Sequence, residues 1–566
     1  MKIRHGSLPR SCVIFLWPLV ALSGPAENAS VPDEVTVLEP VFVEASSADP
    51  WIYFTVPGFE VISHCPDSFN QTYAQALKMA TAARLAVLPA SFWGELPTPM
   101  KIVLYNRRPE PREGFRRGSP IDLNWVSGDG GSVGSGQVVH SYPVTVGDGD
   151  TFINCGNYWE VRADNDDFSV DPDSDIRIAN RVPRLPSWFA AGMEGQFGLY
   201  PNGIIRSTPF TSALILPSAF WISTAETIAV QNEAKEKHRD GKAVPPSRML
   251  PLGDIFSGGL RTDRADLWNS EAALFVRWGL YGSGNRQDFL DFVDRASREP
   301  VTEALFRAHF GLGYAEVRAR LDAYLPKAVS EPITVPLSVP LEKDLNFREA
   351  SSVEIARIIG DWGRLEGRTL GMENLEYQRE CLDQADRLFE RIQRRGNSDP
   401  LFLAAFGLYE LQVGDAVRAR DALERATKAG VVRPRAYVEL ARMRLEDSLP
   451  SVQAGIGDLN EADFAEITGL LTTARVQMPS LTATYDLLAR VLEHAPKRPD
   501  REQIRPLEEA MDLFPQNAAL AYKLANLYGD LGLHGEAAAV IDRAMKFSDS
   551  DQSRAVLAEF LDKKAR

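Results

Sequence analysis

Beyond Asn346 the apolar positions recur at helical spacing, and small residues recur among them at a longer interval. Gly407 and Ala441 lie 34 residues apart, each preceded by a large residue (Phe406, Leu440) and by another three positions earlier (Leu403, Tyr437). Ala510 and Ala544 are again 34 apart. The pattern predicts helix pairs, with Leu423/Ala426, Leu471/Ala474, Leu507/Ala510 and Ile541/Ala544 in the second helix of each, and Pro479 and Pro515 closing two of them. Four units follow, with a divergent pair expected over residues 352–395 and insertions near 449–459 and 494–499 expected as loops. The first half reads differently. Residues 51–61 and 100–105 have the β-branched and aromatic content of strands, and 68–88 has helical periodicity. Helical patterns then dominate residues 185–325, the last over 269–281, 286–296, 301–310 and 315–325. Pro332, Pro336 and Pro340 follow at four-residue spacing, which cannot continue a helix and predicts an extended linker over 329–346.

The spacing of Leu524, Ala525, Tyr528, Ala537, Ile541 and Ala544 resembles the tetratricopeptide repeat. Small residues let two helices of a unit approach, and large ones fill the gap to the next unit. Gly407, Ala426, Ala441, Ala474, Ala489, Ala510, Ala525 and Ala544 are the expected packing positions. Such arrays stack because one pair cannot bury its apolar face alone, and the resemblance implies a protein or peptide partner held on the stack.

A second resemblance lies at 185–197. The run Leu185-Pro186-Ser187-Trp188-Phe189-Ala190-Ala191-Gly192-Met193-Glu194-Gly195-Gln196-Phe197 is similar to the P-x-W helix of peptidase MA-like gluzincin metallopeptidases, with segments at 57–63, 99–105, 250–256 and 271–275 resembling its neighbours. The implied domain covers 48–328. In active relatives an H-E-x-x-H helix precedes this run, because two imidazoles one turn apart grip zinc while the glutamate activates its water. Here Arg177, Ile178 and Arg181 occupy those positions, and Ala191 stands where the downstream ligand glutamate belongs. The histidines (His5, His64, His140, His238, His309, His494 and His534) include no pair able to share a helix face. The reading is a pseudoenzyme without catalytic residues, metal or cofactor. Its rival is an active hydrolase with remote ligands such as His140 and Glu194, or with a serine. The fold class expected is therefore an α+β, gluzincin-like domain followed by an all-α tetratricopeptide-type solenoid over 347–566.

Charge and ends narrow the setting. A net charge of −15 argues against nucleic acid as partner, since counterion release needs a basic footprint. Lys2, Arg4 and Arg10 precede a short apolar run and then small residues, the layout of a signal peptide over residues 1–26, so export to a periplasmic or extracellular space is expected. That run is too short to span a bilayer, and no later segment is apolar enough, so no membrane span is expected. The odd number of mature cysteines suggests no disulfide framework, leaving a single Cys65–Cys155 bridge open. Gly130-Gly131-Ser132-Val133-Gly134 matches a nucleophile elbow without its strand–helix context, and the aspartates of 164–175 lack the glycine and glutamate of an EF-hand.

Overall fold

The structure, a computed structural model, describes residues 50–92, 99–105, 144–157, 182–197, 204–207, 212–216, 250–256, 265–337, 345–369, 375–453, 459–547 and 551–564. Residues 51–61 form two strands rather than one. β1 (Ile52–Val56) and β2 (Phe59–Ser63) pair antiparallel across Pro57 and Gly58, and Gly58 takes φ +84°, a value that side chains disfavour. β3 (Met100–Tyr105), β4 (Val144–Gly147) and β5 (Phe152–Asn157) extend this sheet. A second sheet holds β6 (Ile204–Ser207), β7 (Ser212–Leu216) and β8 (Ile333–Leu337). A short β9 (Arg348–Glu349) closes the first, whose order is β4-β5-β3-β2-β1-β9, with β2–β3 and β3–β5 parallel.

Alternation along these strands decides what covers each face. Phe59, Val61, Ile102 and Leu104 point to one side, where α1 (Asp67–Val87) contributes Phe69, Ala74 and Leu77. Ile62, Val103, Val146 and Ile153 point to the other. That second face is covered by Ile358, Ile359, Trp362 and Leu365, residues from the beginning of the helical array. The sheet is thus a middle layer, with the array as one of its two coats.

A separate core collects α2 (Ser187–Phe197), α3 (Leu252–Phe256), α4 (Ala265–Tyr281), α5 (Arg286–Ala296), α6 (Glu303–Phe310) and α7 (Tyr314–Ser330) around Trp188, Phe275, Phe289, Phe292 and Phe306. Helix starts follow their caps: Thr302 Oγ1 accepts the Leu305 N–H at 3.1 Å, so α6 begins at Glu303.

The proline-spaced segment is not the free linker expected. α7 runs to Ser330, and β8 pairs antiparallel with β7 from Ser212↔Leu337 to Leu216↔Ile333. Pro336 fits because β8 has a neighbour on one side only in the described sheet, so its missing N–H breaks no second ladder. Leu345 and Phe347 pack onto the first sheet's core, and the chain from Asp49 to Arg566 forms one compact unit. Among the described residues, those of the first half and those of 347–566 fall in the same compact unit.

The array begins with α8 (Ser352–Ile355), a π-helical turn (Ala356–Gly360) and α9 (Asp361–Thr369), paired with α10 (Leu375–Gln393). Then come α11 (Pro400–Val413) with α12 (Ala416–Lys428), and α13 (Pro434–Gln453) with α14 (Glu461–Val476). α15 (Thr482–Glu493) with α16 (Arg501–Leu513), α17 (Ala518–Asp530) with α18 (His534–Phe547), and a final α19 (Asp551–Lys564) complete it. Asp399, Asp415, Asn460, Asp500 and Asn517 cap five of these starts with their side chains. The insertion at 449–459 is only partly a loop: α13 continues to Gln453, and 454–458 lie outside the described residues.

Candidate functional site

Of the positions read as a degenerate zinc site, Arg177, Ile178 and Arg181 lie outside the described residues, as do His140, the serine loop at 130–134 and the aspartates of 164–175. Ala191 sits on α2, partly buried against the aromatic core. Trp188 and Phe189 are buried with Phe289 in that helical core, whereas Val146 of β4 belongs to the core on the array side of the sheet. His64 stacks near Trp51, ring centroids 4.7 Å apart. Cys65 is a free, buried thiol, and burial pushes its pKa up to about 11, which leaves it unprimed as a nucleophile.

The eight packing positions lie inside the array. Ala426, Ala441, Ala474, Ala489, Ala510, Ala525 and Ala544 are each exposed by 1% or less. Gly407 is buried, and a β-carbon there would lie 2.8 Å from Leu423 Cγ and 3.2 Å from the Ala419 carbonyl. That is the close crossing of α11 over α12 that a small residue permits.

The densest chemistry lies where the sheet meets the array. Glu60, the one charged residue of β2, faces the array side, where Arg357 of the π-helical turn holds it with both guanidinium nitrogens, one at 2.9 Å. The Tyr53 hydroxyl donates to the same carboxylate at 2.7 Å. Burial pushes Glu60 up, but the Arg357 bonds and charge outweigh it and its pKa ends below the ordinary value. On neighbouring β3, Lys101 is buried and its pKa lowered, chiefly by desolvation; its Nζ donates to Thr151 Oγ1 at 2.8 Å.

Thr151 ends the turn that joins β4 to β5, and this turn is gripped by the array. Asp148 accepts from Arg364 of α9 at 2.7 Å and lies 3.4 Å from Arg433. Asp361 ties both arginines together, at 2.7 Å to Arg364 and 2.9 Å to Arg433. Asp150 Oδ2 accepts the backbone N–H of Arg435 at 2.5 Å, in the first turn of α13. Pro434 opens that helix behind Arg433, a residue with no side-chain acceptor, so a carboxylate from the sheet takes the capping role. Arg368 donates to the Gly147 carbonyl at 2.8 Å, occupying the end of the edge strand β4. Gly149 reaches Leu481, just ahead of α15.

Two guanidiniums face three carboxylates here, and the acids respond in opposite directions. Burial pushes Asp148 up, but Arg364 and Arg433 override it and hold its pKa far below the ordinary range. Asp150 is pushed up to about 8, first by burial and then by the neighbouring charge of Asp148. Each carboxylate is committed to a guanidinium or a backbone N–H, and among the described residues no group of three or more His, Cys, Asp or Glu is placed to hold a metal ion. The arrangement holds the turn between β4 and β5 in place against the array.

No family model matches the chain, and no curated protein matches it. Among solved structures it is similar to a crystal structure of MamA protein, at 16% identity and TM-score 0.26 over 35% of this chain and 91% of that one. It is also similar to MamA 41-end from Desulfovibrio magneticus RS-1, at 18% identity and TM-score 0.26 over 36% of this chain and 99% of that one. A third is TTC0263, a thermophilic TPR protein in Thermus thermophilus, at 19% identity and TM-score 0.25 over 36% of this chain and 98% of that one. The tetratricopeptide-type description rests on the paired helices and buried small residues of this chain itself.

Glu60, Asp148, Asp150, Asp361, Arg364 and Arg433 were not foreseen from sequence. Signals existed for some: a lone glutamate inside a strand of Phe, Val and Ile, and an arginine where a helix starting with proline should have a cap. Their pairing is invisible in a linear reading, because 285 residues separate Asp148 from Arg433.

Proposed function

We propose that the protein is an exported, non-catalytic interaction scaffold that binds a protein or peptide partner on its helical array. The observation that carries this is the continuous core running from Ala356 to Phe560 through five helix pairs, an architecture whose outer faces are free for recognition once the stack has buried its apolar faces. Exposed apolar side chains, among them Val417, Val476 and Met478, stand on that outer surface. Among the described residues no helix is long and apolar enough to cross a membrane. The N-terminal α+β region is a peptidase-like domain that has lost its ligands; the resemblance of 185–197 and the scattered histidines support this. The basic residues and short apolar run of the first 26 residues support export.

The test uses the full mature chain. Immobilised protein should retain a partner, identified by mass spectrometry, at near-stoichiometric amount, and Val417→Asp or Val476→Asp should release it without changing the melting temperature. Retention indifferent to every exposed array substitution would remove the scaffold reading. Stoichiometric zinc that is lost together with peptide cleavage would install the rival, an active hydrolase. N-terminal sequencing of the exported protein checks cleavage near residue 26.

A further inference from the structure

We propose that the turn joining α11 to α12 is a docking surface for a basic protein segment, which seats an apolar side chain against Val413 and Val417 and turns lysine or arginine side chains toward the carboxylates beside them. This rests on the scaffold reading and names the chemistry of the partner.

The apolar half of the surface is open. Residues 413–417 are all exposed, and Val417, at 81%, is the most exposed large apolar side chain among the described residues. Val413 ends α11 and Val417 lies in the first turn of α12, on either side of Gly414 and Asp415. Helix formation does not call for valine at either place: β-branched residues are weak helix formers, and α12 already has its start fixed by Asp415, whose side chain accepts the Arg418 N–H at 3.0 Å. The sheet takes the array at α9, at the start of α13 and at Leu481, and it leaves this turn exposed.

The charged half carries a surplus of carboxylates. Arg418 is shared between Glu390 of α10 and the buried Glu410 of α11, the latter at 3.2 Å, and its guanidinium lies over the Phe406 ring at 5.0 Å, which holds it in place. Asp386 of α10, which accepts from the Tyr409 hydroxyl at 3.2 Å, and Asp415 add two further negative charges. Arg394 approaches Glu390 at 3.8 Å from an exposed position, where an ion pair contributes little. Glu410 registers the surplus: burial pushes its pKa up, Arg418 draws it down, and the charges of Asp415, Glu390 and Asp386 push it up again, to about 7. Among the described residues these acids do not converge as metal ligands do, so the cations that suit them are long side chains, each reaching its own carboxylate. An apolar contact with an acidic rim selects a basic partner and speeds its encounter with a chain of net charge −15.

The experiment uses the full mature chain and three fluorescein-labelled amphipathic peptides as probes: one of leucine and lysine, one with each lysine replaced by glutamate, and one with each leucine replaced by serine. Fluorescence anisotropy should show the leucine–lysine peptide bound and the other two unbound. Val413→Ser with Val417→Ser should weaken binding about tenfold, as loss of an apolar anchor does, and Asp386→Asn with Asp415→Asn should weaken it by a similar factor and flatten its salt dependence. Asparagine caps a helix as well as aspartate does, so α12 keeps its start in the second variant. Val556→Ser, at an exposed position on α19, is the control and should bind like the native chain. No binding of the leucine–lysine peptide, equal binding of the serine peptide, undiminished binding in the valine or the aspartate variant, or an equal loss in the control overturns the proposal. Should the double valine variant melt below the native chain, Val417→Ser alone takes its place, and undiminished binding by it overturns the proposal as well. A cellular partner released by Val476→Asp but not by Val417→Asp also overturns it while leaving the scaffold reading intact, so the two fail separately.

Discussion

Gly407 and Gly469 both lie within helices of the array, yet their surroundings differ. A β-carbon at 407 would press on Leu423 and the Ala419 carbonyl, whereas at 469 it would meet nothing within 4 Å. Alanine should therefore destabilise at 407, where overpacking of about 1–3 kcal/mol exceeds the roughly 1 kcal/mol gained in helix propensity. At 469 only the gain of about 1 kcal/mol remains. Urea unfolding of Gly407→Ala and Gly469→Ala should thus give shifts of opposite sign; shifts of the same sign would mean that α11 and α12 do not cross at Gly407. A second residue-scale effect concerns pH. Asp150 binds its proton more tightly in the folded chain, so its contribution to stability is full below the ordinary carboxylate pKa and is lost as pH rises from about 4 to about 8. Asp148 has the opposite sign: its contribution holds above the ordinary carboxylate pKa and is lost only as pH falls well below it. The charged groups facing this pair are Asp361, Arg364, Arg368 and Arg433, with the backbone N–H of Arg435 on Asp150. Melting temperatures between pH 4 and 9 should fall with pH less steeply in Asp150→Asn than in the native chain, and parallel profiles would show Asp150 to be ionised throughout.

At the scale of elements, much was legible because local patterns set local structure. The 34-residue recurrence located the helix pairs, and the content of residues 100–105 located β3, since period and composition act through neighbours in sequence. Residues 51–61 read as one strand because Pro57 and Gly58 were not taken as a two-residue turn, and residues 329–346 read as linker because proline spacing does not reveal that β7 supplies a partner for β8. Of the candidate site, Gly407 and the alanines could be read from spacing, while the ion pairs could not, since each joins elements distant in sequence. The Glu60–Arg357 pair, linking β2 to the π-helical turn, shows what such a join is worth. Arg357→Met leaves an uncompensated buried carboxylate and should cost about 3–5 kcal/mol. Glu60→Leu combined with Arg357→Met removes both charges and should recover most of that loss, because an apolar pair avoids the desolvation penalty. Chemical denaturation of the two variants decides the matter: a double variant no more stable than the single one would show that Glu60 is solvated in the absence of its partner.

At the scale of the whole molecule, the first half of the chain serves the array along its length. It covers Ile358, Ile359, Trp362 and Leu365, contributes the acceptor for the first turn of α13, and sets Val182 against the array's core. Near the far end, Arg543 of α18 donates to the Arg298 carbonyl beyond α5 at 3.2 Å. Such contacts run against the expectation of two separable halves joined by a linker. A specific protease site inserted at residue 341 should therefore give two pieces that travel together in size exclusion and part only in denaturant. The fragment 347–566 made alone should melt at lower temperature than the full chain and self-associate, because it would lose the sheet residues Ile62, Val103, Val146 and Ile153 that pack on Ile358, Ile359, Trp362 and Leu365. Restoring polarity on that face with Ile358→Lys and Trp362→Gln should reduce self-association of the fragment while destabilising the full chain. Cleaved halves that separate in native buffer, with a monomeric fragment as stable as the parent, would mean that the sheet merely rests on the array and that the buried charges between them hold nothing together.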